Sequence, residues 1–368
     1  MPSATYQAAG ALVAFVWGLL MDRIGRRLTL ALGVALGALG ALTACLSVTR
    51  HALLPFLLGI GLMGMANSAL QLGRFVAAEV SPPDARGRAI STVVLGGTVG
   101  AVLGPFLVGP AGGTARRFGV DELSGPYATS ALLFLAVVML VLSRLRPEPR
   151  ELAQRVAAAH RVTSTAATGD KRPLLEILRS SDARLAIATL VFGQAVMTML
   201  MVITSVHMKD HQHALAGIAF VISSHVFGMF AFSIVSGRLA DTWGRRPVIV
   251  TGALALVLSC LWAPLSPQLL PLAGALFLLG LGWNFCYVAG SALLSDQLRP
   301  SERATTQGFN DLLIGLAAAF GAVSSGLIFA AIGYAVMGLL TAVASFVPLI
   351  LALRPPPEPP SQLLLRQG

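Results

Sequence analysis

Charge is the scarcest commodity in this sequence. Only 11% of its 368 residues are Asp, Glu, Lys or Arg, against roughly 25% in a soluble domain. That is too little charge to cover a water-facing surface. Lysine is almost missing: Lys171 and Lys209 are the only two among 26 basic residues, a bias of composition rather than of chemistry. Cysteine is confined to Cys45, Cys260 and Cys286, all in apolar stretches, which excludes a disulfide framework and any cysteine-based metal spacing. No phosphate-binding loop is present, so ATP is not expected to drive the protein directly. No polar loop holds a nucleophile–base pair, so neither enzymatic chemistry nor a cofactor is expected.

What the chain has in abundance is apolar sequence. Hydrophobic residues make up 55%, and the mean hydropathy is +0.78. Apolar stretches lie near 6–21, 28–48, 53–76, 89–111, 126–143, 184–207, 215–236, 247–265, 269–294, 304–329 and 331–353. Each approaches the roughly 20 residues that cross a bilayer, so the chain reads as an all-α polytopic membrane protein of about eleven transmembrane helices. One long polar interruption, from Arg144 to about Asp182, separates five crossings from six. The expected organisation is an amino-terminal bundle over 1–145, a central loop over 146–183, a carboxy-terminal bundle over 184–353 and a proline-rich tail over 354–368.

The net charge of +10 suggests nucleic acid at first sight, but its distribution points elsewhere. With residue 1 outside, 22 of the 26 basic residues fall on the cytoplasmic side, and only Arg50, Arg116, Arg117 and Lys209 fall outside. That is the positive-inside pattern. It places the amino terminus out and the carboxyl terminus in the cytoplasm of a bacterial plasma (inner) membrane, with no nucleic-acid partner. The first crossing has no charged n-region and runs straight into a basic loop, so it is not read as a cleaved signal. The tail's Pro355–Pro360 run is too proline-rich for a helix and is expected to be a disordered end.

The two halves repeat each other. Gly18, Asp22, Gly25, Arg26 and Arg27 align with Gly237, Asp241, Gly244, Arg245 and Arg246 at an offset of 219. Glu79, Pro83 and Arg86 align with Asp296, Pro300 and Arg303 at 217, and Phe56–Gly61 with Phe277–Gly282 at 221. Repeats separated by an even number of crossings are parallel, related by an axis along the membrane normal.

The doubled pattern G-x-L-x-D-x-x-G-R-R resembles the cytoplasmic loop signature of the major facilitator superfamily, and the resemblance covers essentially the whole chain. It implies two pseudo-symmetric helical bundles of six helices each, twelve in all. The match starts at the family's second helix, so the first is the one without a counterpart. It further implies a conformational latch in which Asp22 and Arg26 work with Glu79, and Asp241 and Arg245 with Asp296. Asp22 would face the amino-terminal end of the family's eleventh helix, where the dipole favours a carboxylate. The bland reading is that these arginines only set topology.

Gly97–Gly109, with Gly100, Gly104, Pro105 and Gly109, resembles the superfamily's antiporter motif, G-x-x-x-G-P. Glycines four apart permit close helix approach and the proline bends the helix; generic small-residue packing is the alternative. The second half lacks the Gly-Pro pair, and this asymmetry favours export.

Polar groups inside crossings are costly and therefore informative. Asp311 lies about 12 Å into the membrane past Arg303 at the helical rise and is the one acid clearly within a crossing. Gln307, Asn310 and Asp311 share a helix face. Asn67, Gln71 and Arg74 form a similar stripe, with Arg74 near enough to the basic loop to snorkel. His225, Gln194, Thr198 and Asn284 complete the expected cavity and proton-handling set, and His225 reads equally as a satisfied core histidine. His207, His211 and His213 cluster at an outer loop, where chance histidines are commoner than a metal site, so no metal is expected. Met197, Met199, Met201 and Met208 nearby are read as lipid-facing.

Together these features imply a monomeric secondary transporter, most like the drug:proton antiporters, whose partners are a small solute, protons and the bilayer. A proton-coupled importer of a small metabolite is the alternative, and a non-transporting sensor or truncated remnant is a third reading.

Overall fold

The computed structural model describes residues 2–161, 172–213, 215–299 and 301–354. The described residues are helical throughout and contain no strand. The first group is α1 (Pro2–Ile24), α2 (Arg26–Thr49), α3 (Leu53–Gln71), α4 (Gly73–Glu79), α5 (Arg86–Arg117) and α6 (Ser124–Arg144). Two short elements follow, α7 (Pro149–Arg161) and α8 (Leu174–Ile177). The second group is α9 (Ser181–Asp210), α10 (Leu215–Phe230), α11 (Ser233–Thr242), α12 (Arg245–Trp262), α13 (Leu269–Gln297) and α14 (Arg303–Leu353). The tail beyond Arg354 and residues 162–171 of the central loop lie outside the described residues.

All eleven apolar stretches fall on these helices. Nine helices among the described residues are long and apolar enough to cross a membrane; α5, at 32 residues, stands outside that set but has the length. The 51-residue α14 would span about 77 Å if straight, more than twice the hydrocarbon core. It is broken at Gly333, where φ is 79° and ψ is 176°. Its first residues meet the α1 turn through Thr305 and Asp22. Its last turn meets Arg246 at the start of α12. Both ends therefore sit at the same basic end of the bundle, and α14 supplies two crossings.

Without a hydrophobic drive between helices in lipid, association rests on close packing of small residues. In α2, Gly33, Gly37, Ala41 and Ala44 form a buried stripe, and α3 lies against it. Hydroxyls inside the crossings donate back along their own helices, as Thr189 Oγ1 does to the Leu185 carbonyl (2.7 Å) and Thr341 Oγ1 to that of Met337 (3.0 Å). That satisfies groups which lipid cannot. Cys260 and Cys286 are buried and Cys45 is half-buried, all as free thiols, so packing is their visible role. Met208 is buried and Met197 and Met201 pack against the same core. These methionines are core rather than lipid-facing, because α9 turns that face toward α13 and α14.

The two groups of helices meet along two seams, α1 against α14 and α5 against α11. At the basic end both seams are tied by charge. Between them, toward the opposite end, lies a cavity.

Candidate functional site

The cavity holds about 170 Å³ and is lined from both groups of helices, by Tyr6, Asn67, Gln71 and Arg74 on one side and Gln194, Trp283, Tyr287 and Asp311 on the other. Its floor is an ion pair that crosses between them. The interruption of the helix at Leu72, between α3 and α4, presents Arg74 to α14, where its guanidinium donates to Asp311 Oδ1. Arg74 is 1% exposed and Asp311 9%. Arg74 therefore does not snorkel to the basic end. It is held at depth by its carboxylate partner, by the Gln71 carbonyl (2.5 Å) and by the rings of Phe75 (4.2 Å) and Tyr287 (4.7 Å).

A buried pair of this kind is costly to desolvate and stable only when its remaining groups are satisfied. Asp311 is satisfied on one oxygen alone: Oδ1 receives Arg74 and the Asn310 amide (3.4 Å), while Oδ2 is buried with no partner among the described residues. An unpaired carboxylate oxygen beside a cavity is a place for a proton.

The walls are aromatic and amide-rich. Trp283 and Tyr287, one turn apart on α13, stack with centroids 4.5 Å apart and planes at 18°. The Trp283 indole donates to Gln194 Oε1 (3.0 Å) and the Tyr287 hydroxyl to Gln71 Oε1 (3.1 Å). Gln194 in turn donates to Thr198 (3.2 Å). Sequence reasoning missed this aromatic pair, although its i, i+4 spacing beside Asn284 was a usable signal.

Four expected residues stand elsewhere. His225 lies in the packing of α10 on α13, its Nδ1 against the Leu276 carbonyl at 3.0 Å. Asn284 braces that same contact by donating to the Met229 carbonyl (2.7 Å) and Ser233 (2.9 Å). Gln307 donates to Ser295 at 3.2 Å, within the buried contact of α14 with α13. Asn310 reaches the site only through Asp311. All four side chains are buried.

His207, His211 and His213 engage neighbouring rings and backbone carbonyls. The His207 ring stacks on Tyr334 (4.2 Å) and lies 4.2 Å from that of His211. His211 and His213 meet the backbone carbonyls of His207 (2.8 Å) and Pro267 (2.7 Å). Among the described residues no cluster of metal-ligating side chains occurs.

At the basic end the repeated turns take similar form. Gly25 and Gly244 open α2 and α12 at φ of 93° and 98°, a left-handed conformation that only glycine adopts cheaply. Arg26 then reaches Glu79 (3.1 Å) and Asp22 (3.7 Å). Arg245 reaches Asp241 (2.7 Å) and Asp296 (3.1 Å). The acids cross the seams: Asp22 accepts from Thr305 in the first turn of α14. Asp241 accepts the amides of Gly87 and Arg88, both at 2.9 Å, in the first turn of α5. Asp296 also holds Arg86 at 2.6 Å. Gly18 and Gly237 make these crossings possible, since a Cβ on Gly18 would stand 3.1 Å from Gly308 Cα and one on Gly237 2.7 Å from the Gly87 carbonyl.

Arg27 and Arg246 do different work from their neighbours. Arg27 donates to the Leu142 carbonyl near the end of α6, and Arg246 to the Arg354 carbonyl just past α14 and to Asp182 (2.6 Å). Each ties the last helix of its own group to the turn and does not bridge the seam. Glu148, absent from the repeat, accepts the amides of Arg26 (2.6 Å) and Arg27 (3.3 Å) and so caps α2. The central loop rejoins the bundle at Arg172, which clasps Glu302 at 2.7 Å. Burial acts to raise the Glu302 carboxyl, and the hydrogen bonds from Arg172 and from the amides of Arg299 and Arg172 outweigh it, holding it below its ordinary value.

The glycine segment of α5 departs from expectation. A Cβ at Gly100, Gly104 or Gly109 would meet open space within 4 Å among the described residues, so no neighbouring helix presses on them here. The Pro105 side chain lies outside the described residues.

The chain matches the family described as Major Facilitator Superfamily over residues 1–213 and again over 185–367. It is 31% identical to the MFS-type transporter YdeG of Bacillus subtilis, over 94% of this chain and 80% of that protein. It is 30% identical to the riboflavin transporter RfnT of Brucella anthropi, over 96% of this chain and 86% of that one. The crystal structure of the human organic anion transporter MFSD10 has the same fold, with a TM-score of 0.73 at 18% identity, covering 95% of this chain and 82% of that one.

Proposed function

We propose proton coupling as the mode of action of this membrane transporter, since the chain belongs to the major facilitator superfamily and its cavity is floored by one buried ion pair joining the two groups of helices. In this reading the bundles of residues 1–145 and 184–353 rock about the cavity of a monomer in a bacterial inner membrane. The amino terminus faces out and the basic end is cytoplasmic. The observation that carries the proposal is Asp311, paired with Arg74 through one oxygen and unpartnered on the other. A proton taken up at Oδ2 cancels the carboxylate and frees Arg74. The freed guanidinium can then bind solute, and the tie across the floor is lost. An ion-pair exchange of this kind couples two occupants of one site through their shared partner.

The solute we propose is a small, planar, hydrogen-bonding metabolite rather than a lipophilic cation. The stacked Trp283 and Tyr287 offer a flat π-face, and Asn67, Gln71 and Gln194 offer amides around it. Riboflavin, for which the Brucella anthropi relative is named, has that chemistry. Export is proposed on the Gly100–Gly109 segment. Uptake is the second reading, favoured by the open space at those glycines, which removes their packing role in this state.

The test is proteoliposomes holding the folded chain under an imposed pH gradient, offered flavins, small carboxylates and lipophilic cations in turn. Flux of a flavin-sized heterocycle is the expected result, and the sign of its accumulation relative to the gradient assigns direction. A response to lipophilic cations alone would overturn the solute class. Silence from folded protein across the whole panel would favour the non-transporting reading.

A further inference from the structure

A second concavity opens at the basic end, away from the central cavity and on the carboxy-terminal group of helices alone. It holds about 510 Å³ between α9, the two legs of α14 and the start of α12. Its rim carries Arg184, Arg246 and Arg354, and its wall is Ile187, Val191, Phe192 and Leu351. From Arg184 to Phe192 is eight residues, or about 12 Å along the helix, so a charged rim at membrane-surface depth leads into an apolar trough.

The rim is electrostatically unbalanced. Arg246 is engaged by Asp182 at 2.6 Å, while Arg184 and Arg354 are exposed and have no carboxylate partner among the described residues. One acid thus faces three guanidinium groups. The Ser181 hydroxyl, also at the rim, is shielded and makes no hydrogen bond within the described residues. Arginine forks and a free hydroxyl are a donor set for phosphate oxygens, and the trough below offers only apolar carbon. A soluble anion satisfies the first half of this site and a neutral lipid the second. A molecule with an anionic head and an acyl chain satisfies both.

We propose that this groove binds one anionic phospholipid of the basic-side leaflet, its phosphate on Arg184, Arg354 and Ser181 and an acyl chain along Val191 and Phe192. Because Arg246 ties Asp182 of α9 to the end of α14, a lipid seated here staples the first and last crossings of the carboxy-terminal group.

Native mass spectrometry and thermal unfolding of the full chain in detergent test this, with dioleoylphosphatidylglycerol, dioleoylphosphatidylcholine or glycerol phosphate added. The expected result is one retained phosphatidylglycerol and a higher Tm, with neither other additive reproducing it. Arg184→Gln and Arg354→Gln should each weaken retention roughly fivefold, the share of one arginine near an anionic surface. Ala188→Trp, which fills the trough and leaves every charge in place, should also lower retention. Equal retention of the phosphatidylcholine, or wild-type retention in both arginine variants, overturns the proposal. An equal Tm response to glycerol phosphate overturns the lipid and leaves a site for a soluble anion. None of these readouts depends on transport, so the groove can fail without touching the central cavity, and the reverse.

Discussion

At the turn between α1 and α2, Asp22 crosses the seam to the hydroxyl of Thr305, whereas at the equivalent turn between α11 and α12 Asp241 crosses to two backbone amides at the start of α5. Their exposures differ in the same sense: 15% for the Asp22 side chain and 4% for that of Asp241. The relay acids differ too. Glu79, 2% exposed, serves Arg26 inside its own group, while Asp296, 26% exposed, holds Arg245 and reaches across to Arg86. A repeated motif thus repeats the turn but not the load. Backbone amides at a helix start are fixed donors aided by the dipole, so the Asp241 crossing is the more rigid of the two. Both crossings lie at the basic end of the bundle, in contrast to the Arg74–Asp311 pair, which lies on the floor of the cavity.

That contrast orders the expected effects of mutation. Arg74→Ala strands Asp311 as a buried acid and should lower transport roughly a hundredfold. Arg74→Lys should restore only part of it, because an ammonium cannot reproduce the planar contact with Tyr287. A full rescue by lysine would reduce Arg74 to a simple counter-charge. At the edge, Asp241→Asn should cost about tenfold in transport. Asp22→Asn should cost about threefold, with insertion of both variants intact by protease protection. Equal losses would erase the asymmetry between the seams, and no loss in either would remove the latch.

His225 sharpens the contrast from the other side. It titrates near neutrality in water, yet it packs between α10 and α13 away from the cavity. His225→Asn should therefore leave the pH dependence of transport unchanged within about twofold, and a displaced pH profile would return it to the proton path. The smallest effect belongs to the loop clasp. Glu302 is held below its ordinary value when folded, so its stabilisation is present above the unfolded carboxylate value and is lost as pH falls through the folded one. Glu302→Gln should lower Tm at pH 7, and the gap to wild type should close on acidification below about pH 4. A gap that persists there would mean the clasp does not depend on charge.

Much of this was readable in the chain. Hydropathy located apolar stretches that all fall on helices among the described residues, because lipid demands continuous apolar length and gives a strong signal for it. Gly25 and Gly244 declared their turns, and the internal repeat together with the family resemblance singled out Asp22, Glu79, Asp241 and Asp296 as partners of the motif arginines. Asp311 stood out as an acid in apolar sequence. What stayed hidden were pairings set by tertiary approach. Arg74 and Asp311 lie 237 positions apart, and Arg74's nearness to the basic end pointed to snorkelling instead. Glu148 has no counterpart in the repeat, so its capping of α2 left no pattern to find. Trp283 and Tyr287 sit in a helix so apolar that aromatics there read as core. His225, Asn284 and Gln307 were polar enough to suggest a cavity, but hydropathy does not tell which face of a buried helix meets a void and which meets a neighbour.

The central claim, that Asp311 couples a proton to solute through Arg74, is tested most directly by recording solute-driven pH change inside proteoliposomes carrying wild-type or Asp311→Asn protein, alongside solute counterflow in the same vesicles. The account predicts that the variant loses the proton signal while wild type shows it, and that any counterflow left in the variant no longer depends on pH. A proton signal of wild-type size in Asp311→Asn would contradict it and place the coupling group elsewhere in the molecule.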